Sequence, residues 1–323
     1  MKRVLIIGGG ISGLLANHVF KTYYRGLEVS VMEPGKPGGE FTAGGLKYIH
    51  RTDNIAAVMG DLGMVTSNHN IRGGILLHGK VEPYPRCLSD MEPDRAARIR
   101  ADHYRKTRRQ EPGDFAARSM NDPEDVGVRR ALRCDSHELI DKLVARASFV
   151  KARLDQIQPG FVTTTGGNSH KYDFLVLTIP LWIIRASAHF HVPEGHAMRL
   201  NVANVEVIRD PYAKWDYVYT PYTPADSIHR ISPSGGGYQC EVNGMMNRDK
   251  LVSDLNFIFK DGWAIESMRE GMKGHLLPLA ERPEWPDNVA PIGRFAKWDP
   301  RSTADVAVDD AHSLAESWGW RTV

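Results

Sequence analysis

The segment VLIIGGGISGLLANHV, residues 4–19, decides the fold. Its first four residues are all apolar, which is typical of a parallel strand buried on both faces. The apolar residues that begin at Ile11 recur at helical spacing, and Gly26 stands where a helix ends. A second apolar strand follows over residues 27–32. The first 35 residues therefore predict a right-handed β-α-β unit in a parallel sheet.

The hexapeptide GGGISG matches the pattern GxGxxG, which binds a dinucleotide pyrophosphate when it joins a strand to a helix. Gly8 permits the tight turn, Gly10 lets the pyrophosphate approach the backbone, and Gly13 lets the helix pack closely on the strand. Ser12 lies at the helix N-terminus, whose amides and partial positive charge favour an anion. Glu33 ends the second strand and is the expected partner of a ribose. NAD and FAD share this fingerprint, so the pattern alone leaves the cofactor open.

Other elements are predicted from periodicity and from glycine and proline positions. They are a strand pair over 74–77 and 80–84, a helix over 94–109, a helix with Ser136 as its N-cap, strands over 149–157 and 172–178 with Pro180 after the second, a β-rich region over 201–231, and a last helix from Asp305.

Composition excludes several classes of protein. The chain has 323 residues, 42% hydrophobic and 25% charged, as in ordinary globular proteins and unlike disordered chains, collagen or coiled coils. Three cysteines without CxxC spacing suggest neither a disulfide framework nor a zinc site, and they favour a reducing, cytoplasmic location. No membrane span, secretion signal or metal-ligand cluster is evident, so no membrane partner and no metal are expected.

Beyond the first strand pair, the chain resembles the FAD proteins of the amine oxidase and UDP-galactopyranose mutase superfamily. The segment PGKPGGE, which includes Gly39, follows the second strand as it does in that family. The run SHELIDKLVARASFVKARLDQI resembles the family's next helix and strand, and it implies that the backbone of Val150 meets the adenine. The run YDFLVLTIP resembles the strand after that.

The segment VAPIGRFAKWDPRSTADVAVDDAHSL resembles the family's second FAD motif, a GR turn followed by a helix aimed at the flavin. The matching positions are Gly293, Arg294, Thr303 and Asp305. A helix N-terminus near the isoalloxazine O2 would stabilise the charge that develops on reduction. The two ends of the chain together imply FAD as the cofactor.

The resemblance implies an α/β fold with a Rossmann-like FAD-binding domain of the glutathione reductase type, a smaller, mainly β substrate domain and a helical insertion. The expected segments are 1–75, 131–185 and 286–323 for the FAD-binding domain, 76–130 for the helical insertion and 186–285 for the substrate domain.

Two local segments are similar to UDP-galactopyranose mutases. GGLKYIHRT resembles the family's GPHxFHT, and GKVEPYP resembles its GKxYPFP strand. Lys47 stands where the family has its first histidine, the one beside the flavin, and His50 keeps the second. A redox-neutral mutase-like flavoenzyme is therefore one alternative, and a protein that binds FAD without turnover is another.

Oxidation of a C–N bond is the preferred function. The chain has one dinucleotide fingerprint, so electrons are expected from the substrate, an amine or amino-acid group, by hydride transfer to flavin N5, with molecular oxygen as acceptor. Lys47, His50 and Tyr219 are the candidate catalytic residues. The candidate substrate-binding residues are a row of aromatic side chains, expected on one sheet face, and one cation that could bind a carboxylate or phosphate. The aromatic residues are Trp215, Tyr217, Tyr219 and Tyr222, and the cation is Arg230.

Residues 94–110 carry seven Lys and Arg against two Asp, so the rest of the chain is mildly acidic. A local basic segment with an interleaved tyrosine suits a phosphate backbone and one stacked base, and a solvated helix face is the alternative. The candidate DNA contacts are Arg105, Arg108 and Arg109. The enzyme would then resemble bacteriophage flavoenzymes that process amino-acid adducts on thymidine in hypermodified DNA.

Overall fold

The computed structural model describes residues 1–42, 48–77, 79–83, 92–106, 130–195, 197–220, 227–234, 236–243, 247–270, 273–276, 279, 281, 283–299 and 302–323. The strands in this part of the chain are β1 (Lys2–Ile7), β2 (Leu27–Met32), β3 (Tyr48–His50), β4 (Ser67–Asn70), β5 (Gly73–Leu77), β6 (Lys80–Pro83), β7 (Arg130–Arg133), β8 (Phe149–Val150), β9 (Leu154–Gln158), β10 (Phe161–Thr164), β11 (Ser169–Lys171), β12 (Phe174–Leu177), β13 (Ala197–Val207), β14 (Tyr217–Tyr219), β15 (Ile228–Ser234), β16 (Gly237–Asn243), β17 (Trp263–Arg269), β18 (Lys273–Leu276) and β19 (Val289–Pro291).

The helices of the same part of the chain are α1 (Ile11–Tyr23), α2 (Asp53–Asp61), α3 (Pro93–Lys106), α4 (Ser136–Ala145), α5 (Leu181–Ser187), α6 (Arg248–Phe259), α7 (Arg294–Lys297) and α8 (Ala304–Ser317), with a 3-10 turn at Gly39–Thr42. None of these helices is long and apolar enough to cross a membrane.

The chain divides into two units. The first combines residues 1–69, 130–195 and 279–323, and the second combines 70–129 and 196–278. The separate helical insertion expected over 76–130 stays a prediction.

The first unit is built on a five-stranded sheet in the order β19-β12-β1-β2-β8, in which every neighbouring pair is parallel. Residues 4–7 of β1 are at most 3% exposed, because this central strand is buried on both faces. The β-α-β unit predicted from the first 35 residues is confirmed, with β2 beginning and ending as expected.

The helices α1 and α8 pack together in the core of the first unit. Leu14, Leu15 and Val19 of α1 are fully buried, as are Ala307 and Ala311 of α8. Small alanines on α8 let the two helices approach closely, and the last helix is confirmed with its first residue one position earlier than predicted.

Two local predictions in the first unit are wrong. Helix α4 is capped by Asp135, not Ser136, because the Asp135 carboxylate accepts hydrogen bonds from the amides of His137 and Glu138. The single strand expected over 149–157 is two strands. β8 joins the parallel sheet beside β2, whereas β9 joins an antiparallel sheet with β10 and β11.

The second unit is built on a sheet in the order β17-β13-β16-β15-β14-β5-β6, with β18 also paired to β13. All its pairs are antiparallel except that of β14 with β5. The apolar side of α6 packs on one sheet face, where Leu251 and Leu255 meet Cys240 and Val242. The strand pair predicted over 74–77 and 80–84 is confirmed as β5 and β6.

One buried and one half-buried histidine make the stability of the first unit depend on pH. His18 on α1 is 1% exposed, and burial together with the nearby Arg146 lowers its pKa despite Asp61, whose Oδ2 lies 3.8 Å from His18 Nε2. Burial also lowers the pKa of His312, whose Nδ1 lies 3.0 Å from the Tyr24 hydroxyl.

Because folding lowers both pKa values, the folded state binds fewer protons than the unfolded chain below the ordinary histidine pKa of about 6.5. The stabilisation is complete above that pH and is lost as the pH falls toward the folded pKa values. We expect the Tm of the chain to fall between about pH 7 and pH 5.5, and the double variant His18→Gln/His312→Gln to show a smaller fall. Thermal melts of both proteins across this range measure it, and parallel curves would contradict the assignment.

Candidate functional site

The glycine turn between β1 and α1 has the geometry that its sequence predicts. Gly8 has a φ of +111°, and its amide donates to the Met32 carbonyl at 2.9 Å. A Cβ atom on Gly13 would lie 2.0 Å from the Gly8 carbonyl oxygen. The helix therefore approaches the strand more closely than any side chain at Gly13 would allow.

Gly10 leaves the N-terminus of α1 open. It is the N-cap of α1 with a φ of −70°, and a Cβ atom built on it has nothing within 4 Å among the described residues. In the part of the chain that the structure describes, no side chain caps α1, and the first turn of α1 has no acidic residue. Uncapped amides at the end of a helix are a favourable position for a phosphate.

Glu33 is held beside this turn by its own carboxylate. Its Oε2 accepts from the Gly9 amide at 2.8 Å, and its Oε1 accepts from the Gly35 amide at 2.9 Å. Each carboxylate oxygen has a second lone pair, so these bonds fix the side chain and leave capacity for ribose hydroxyls.

Gly39 and Val150 lie close to Glu33, at the carboxyl ends of the parallel strands. A Cβ atom on Gly39 would lie 3.5 Å from Gly10 Cα, and the preceding Gly38 donates its amide to the Gly9 carbonyl at 2.8 Å. Val150 ends β8, and its carbonyl accepts from the Glu33 amide at 3.1 Å. The predicted cofactor residues of the first two segments are thus contiguous.

The C-terminal motif reaches the same place. Gly293 has a φ of +89° at the start of α7, and a Cβ atom on it would lie 2.5 Å from Ser12 Oγ. The two motifs, from opposite ends of the chain, therefore touch at Ser12 and Gly293. Arg294 follows as the first residue of α7 and is half-buried.

The N-terminus of α8 has polar atoms available. Thr303 is the N-cap, but its hydroxyl donates to Asp305 Oδ1 at 2.7 Å and caps no helix amide. Ser302 Oγ is buried and has no hydrogen-bond partner among the residues that the structure describes. Unpartnered buried polar atoms are rare, and a bound polar group would satisfy them.

The aromatic row expected on one sheet face of the second unit is divided between two faces. Tyr217 and Tyr219 lie on β14, with ring centroids 5.1 Å apart. Trp215 lies before β14 and packs on the opposite, apolar face, where its ring would contact a Cβ on Gly74 at 3.1 Å. The prediction that Trp215 shares a face with Tyr217 and Tyr219 is wrong because strict alternation holds only within a strand. Its role as a substrate-binding residue stays a prediction.

Arg230 has a partner within the protein. One of its terminal nitrogens forms an ion pair with Glu241, and its guanidinium carbon lies 5.9 Å from the centre of the Tyr219 ring. Burial lowers the pKa of Arg230, but the Glu241 carboxylate and the Tyr219 hydroxyl together more than offset this, and the pKa is raised. Arg230 is therefore a neutralised cation, not the free cation that its sequence position suggested.

Several predicted residues stay untested. His50 lies on β3 opposite Ala131, half-buried. Arg105 lies on α3, whose side chains beyond residue 101 are not described. Lys47, Tyr222, Arg108 and Arg109 lie outside the described residues. No group of His, Cys, Asp and Glu suited to a metal ion occurs in the described ranges.

Sequence reasoning missed Thr178 as a residue that supports the site. Its hydroxyl lies 2.9 Å from the Ile7 carbonyl oxygen and 3.0 Å from that of Gly8. Its side chain fills the space where a Cβ on Gly8 would lie, at 2.6 Å. The signal available was its position, since Thr178 follows the strand that pairs with β1.

No protein-family model and no curated protein matches this chain. Solved structures do. A reduced UDP-galactopyranose mutase aligns with a TM-score of 0.70 at 14% identity, covering 99% of this chain and 94% of that one. A fatty acid isomerase from P. acnes that produces CLA aligns at 0.65 and 14%, covering 98% of each chain. An oxidoreductase from Methanosarcina mazei aligns at 0.63 and 12%, covering 97% and 100%.

These similarities extend over nearly the whole chain, and at 12–14% identity they concern the fold. The chain therefore has the Rossmann-like α/β fold shared by these enzymes, which confirms the fold class that the sequence motifs implied.

Proposed function

We propose that this chain is a flavoenzyme that binds FAD in its first unit. The observation that carries the proposal is the contact of Gly293 with Ser12, which joins the N-terminal dinucleotide turn to the C-terminal GR turn. A dinucleotide-binding turn alone suits NAD and FAD equally, whereas the second motif is the one that the resemblance assigns to FAD.

The described residues fit this cofactor. The open space at Gly10 and the uncapped N-terminus of α1 suit the pyrophosphate, and Glu33 suits the adjoining ribose. The backbone at Val150 would meet the adenine. The amides at the start of α8 and the unpartnered Ser302 hydroxyl would hydrogen-bond the flavin. Arg294 and Gly39 complete the cofactor site.

The reaction we propose is oxidation of a C–N bond in an amine or amino-acid group. FAD supplies a two-electron acceptor for the hydride that leaves the carbon beside the nitrogen. The amine must lose its extra proton before this step, and water then hydrolyses the imine, with molecular oxygen as the final acceptor. The protein has to orient the substrate and exclude water. Buried Tyr217 and Tyr219, 7% and 5% exposed, are the aromatic residues proposed to orient the substrate. His50 and Lys47 stay candidate catalytic residues.

We further propose DNA as the carrier of the amino-acid group, contacted by residues 95–109. The support is the charge of this segment. Arg95 is paired with Glu82, so it is not among the proposed phosphate contacts. Arg105, Arg108 and Arg109 are the proposed contacts.

Anaerobic visible spectra test these proposals together. The flavin-bound protein is mixed in separate cuvettes with benzylamine, glycine, amino-acid-modified DNA and UDP-galactopyranose. Loss of the oxidised-flavin absorbance with an amine or with the modified DNA is the expected result, because only a substrate that donates electrons bleaches the flavin. No bleaching, with turnover of the sugar nucleotide only after chemical reduction, would instead favour the mutase. A protein that cannot be loaded with FAD would refute the cofactor.

A further inference from the structure

The sheet of the second unit has one apolar face and one polar face. Side chains alternate along a strand, so the residues between those packed on α6 lie on the other face. That face carries Tyr217, Tyr219, Arg230, Gln239 and Glu241, placed by the pairing of Tyr219 with Arg230 and of Arg230 with Glu241. We call this set the polar face.

A β-bulge concentrates side chains around Tyr219. The register between β15 and β16 shifts between Ile228 and Arg230, which pair with the adjacent residues Val242 and Glu241. His229 is therefore the additional residue of the bulge on β15. As a result the His229 ring lies 5.2 Å from the Tyr219 ring and the Arg230 guanidinium 5.9 Å from it.

Two polar atoms of this face are buried without a partner among the described residues. They are the Nε donor of Arg230 and the Oε1 acceptor of Gln239, a residue that is 5% exposed. A buried polar atom left without a hydrogen bond is costly and rare, so two such atoms on one face indicate a bound group that would pair with them. The Gln239 amide nitrogen points to Asn204 Oδ1 at 3.5 Å, which directs its oxygen elsewhere.

The donor and the acceptor lie close together. Glu241 is directly opposite Arg230, and Gln239 is two residues before Glu241 on the same face of β16. Diagonal neighbours of this kind are about 7–8 Å apart between backbones, within the span of one small group with a hydrogen bond at each end.

The charges on this face restrict what it binds. Glu241 neutralises Arg230, so the pair has no net charge to offer a doubly charged pyrophosphate. A group that is itself neutral overall, with a donor next to an acceptor, matches both the charge and the two open atoms.

We propose that the polar face binds an α-amino-acid group as a zwitterion, with its amine donating to Gln239 Oε1 and its carboxylate accepting from Arg230 Nε. This rests on the proposed function and names the substrate class as an amino acid instead of a simple amine. The amino acid can be free or attached through its nitrogen to a larger carrier, and both present the same two groups.

Two variants separate the halves of this site. Gln239→Met removes the acceptor at similar volume, and Gln156→Met on an exposed position of β9 is its matched control. Removing Arg230 alone would take its cationic partner from the buried Glu241 carboxylate, which is strongly destabilising. The pair is therefore removed together as Arg230→Gln/Glu241→Gln.

The experiment is anaerobic calorimetric titration of the flavin-bound protein, whose flavin is first reduced chemically, with N-benzylglycine, benzylamine and glycine. The first two differ only by the carboxymethyl group. We expect N-benzylglycine to bind about tenfold or more tighter than benzylamine, as one charge-assisted hydrogen bond implies. The double variant should lose this preference. Gln239→Met should weaken both ligands by similar factors, whereas Gln156→Met should change neither.

Equal affinity for N-benzylglycine and benzylamine, or a preference that persists in the double variant, would overturn the inference. Glycine binding as tightly as N-benzylglycine would identify a free amino acid, and weaker glycine binding would identify an N-linked one. Because a flavin that is already reduced accepts no hydride, the ligands bind without reacting, and this result is separate from the proposed function. Absence of FAD, or of bleaching by any amine, would refute that function instead.

Discussion

Gly10→Ala is expected to abolish retention of FAD while leaving the Tm of the apoprotein unchanged. The φ of −70° at Gly10 is allowed for alanine, and the added Cβ meets nothing within 4 Å, so folding has no reason to fail. The methyl group would project into the space through which the pyrophosphate has to approach the amides of α1. Loss of that approach should weaken FAD binding by about 100-fold or more, which corresponds to about 3 kcal/mol.

The measurement is the flavin content of the purified variant, with fluorescence titration of its apoprotein. Gly60→Ala is the matched control, since Gly60 lies within α2 and a Cβ there also has nothing within 4 Å. Alanine is the better helix former, so the control should keep its flavin and its Tm should stay equal or rise. A Gly10→Ala protein that purifies fully loaded with flavin would remove the pyrophosphate from this turn.

Gly13→Ala is expected to destabilise the fold itself. A Cβ at this position would lie 2.0 Å from the Gly8 carbonyl oxygen and 2.9 Å from Thr178 Oγ1. The first of these atoms belongs to the backbone of a turn at the end of the central strand, so it cannot move without displacing β1 or α1. Overlap of this kind in a packed core costs about 3 kcal/mol or more, enough to lower the Tm by several degrees or to prevent folding.

Comparison with Gly10→Ala makes this test specific, because the two positions are three residues apart and receive the same methyl group. We expect the Gly13 variant to lose stability and flavin together, and the Gly10 variant to lose flavin alone. Circular dichroism melts of both apoproteins distinguish the two results. A Gly13→Ala protein with an unchanged Tm would show that α1 does not pack on β1 as closely as the structure places it.

The sequence predicted best where the signal was local. Strand β2 was located to the residue and α1 nearly so, because hydrophobic periodicity and a following glycine are properties of a short window. The errors arose where a local pattern does not distinguish between neighbouring positions in the chain. Asp135 and Ser136 are both good N-caps, and the backbone conformation at Asp135 selected it. Trp215 fits the alternation of β14 in sequence, yet it precedes that strand.

The sequence by itself determined the dinucleotide turn. Only glycine tolerates the positive φ of Gly8 and the close approach of the Gly8 carbonyl oxygen at Gly13, so both positions are visible in the sequence as the glycines of GxGxxG. The tertiary structure alone decided which distant residues meet. The contact of Gly293 with Ser12 depends on how β19 joins the parallel sheet. The pairing of Arg230 with Glu241 depends on the register of β15 and β16, which turned an expected free cation into a neutral pair. Such pairings are set by packing between segments far apart in the chain, and a local pattern carries no information about them.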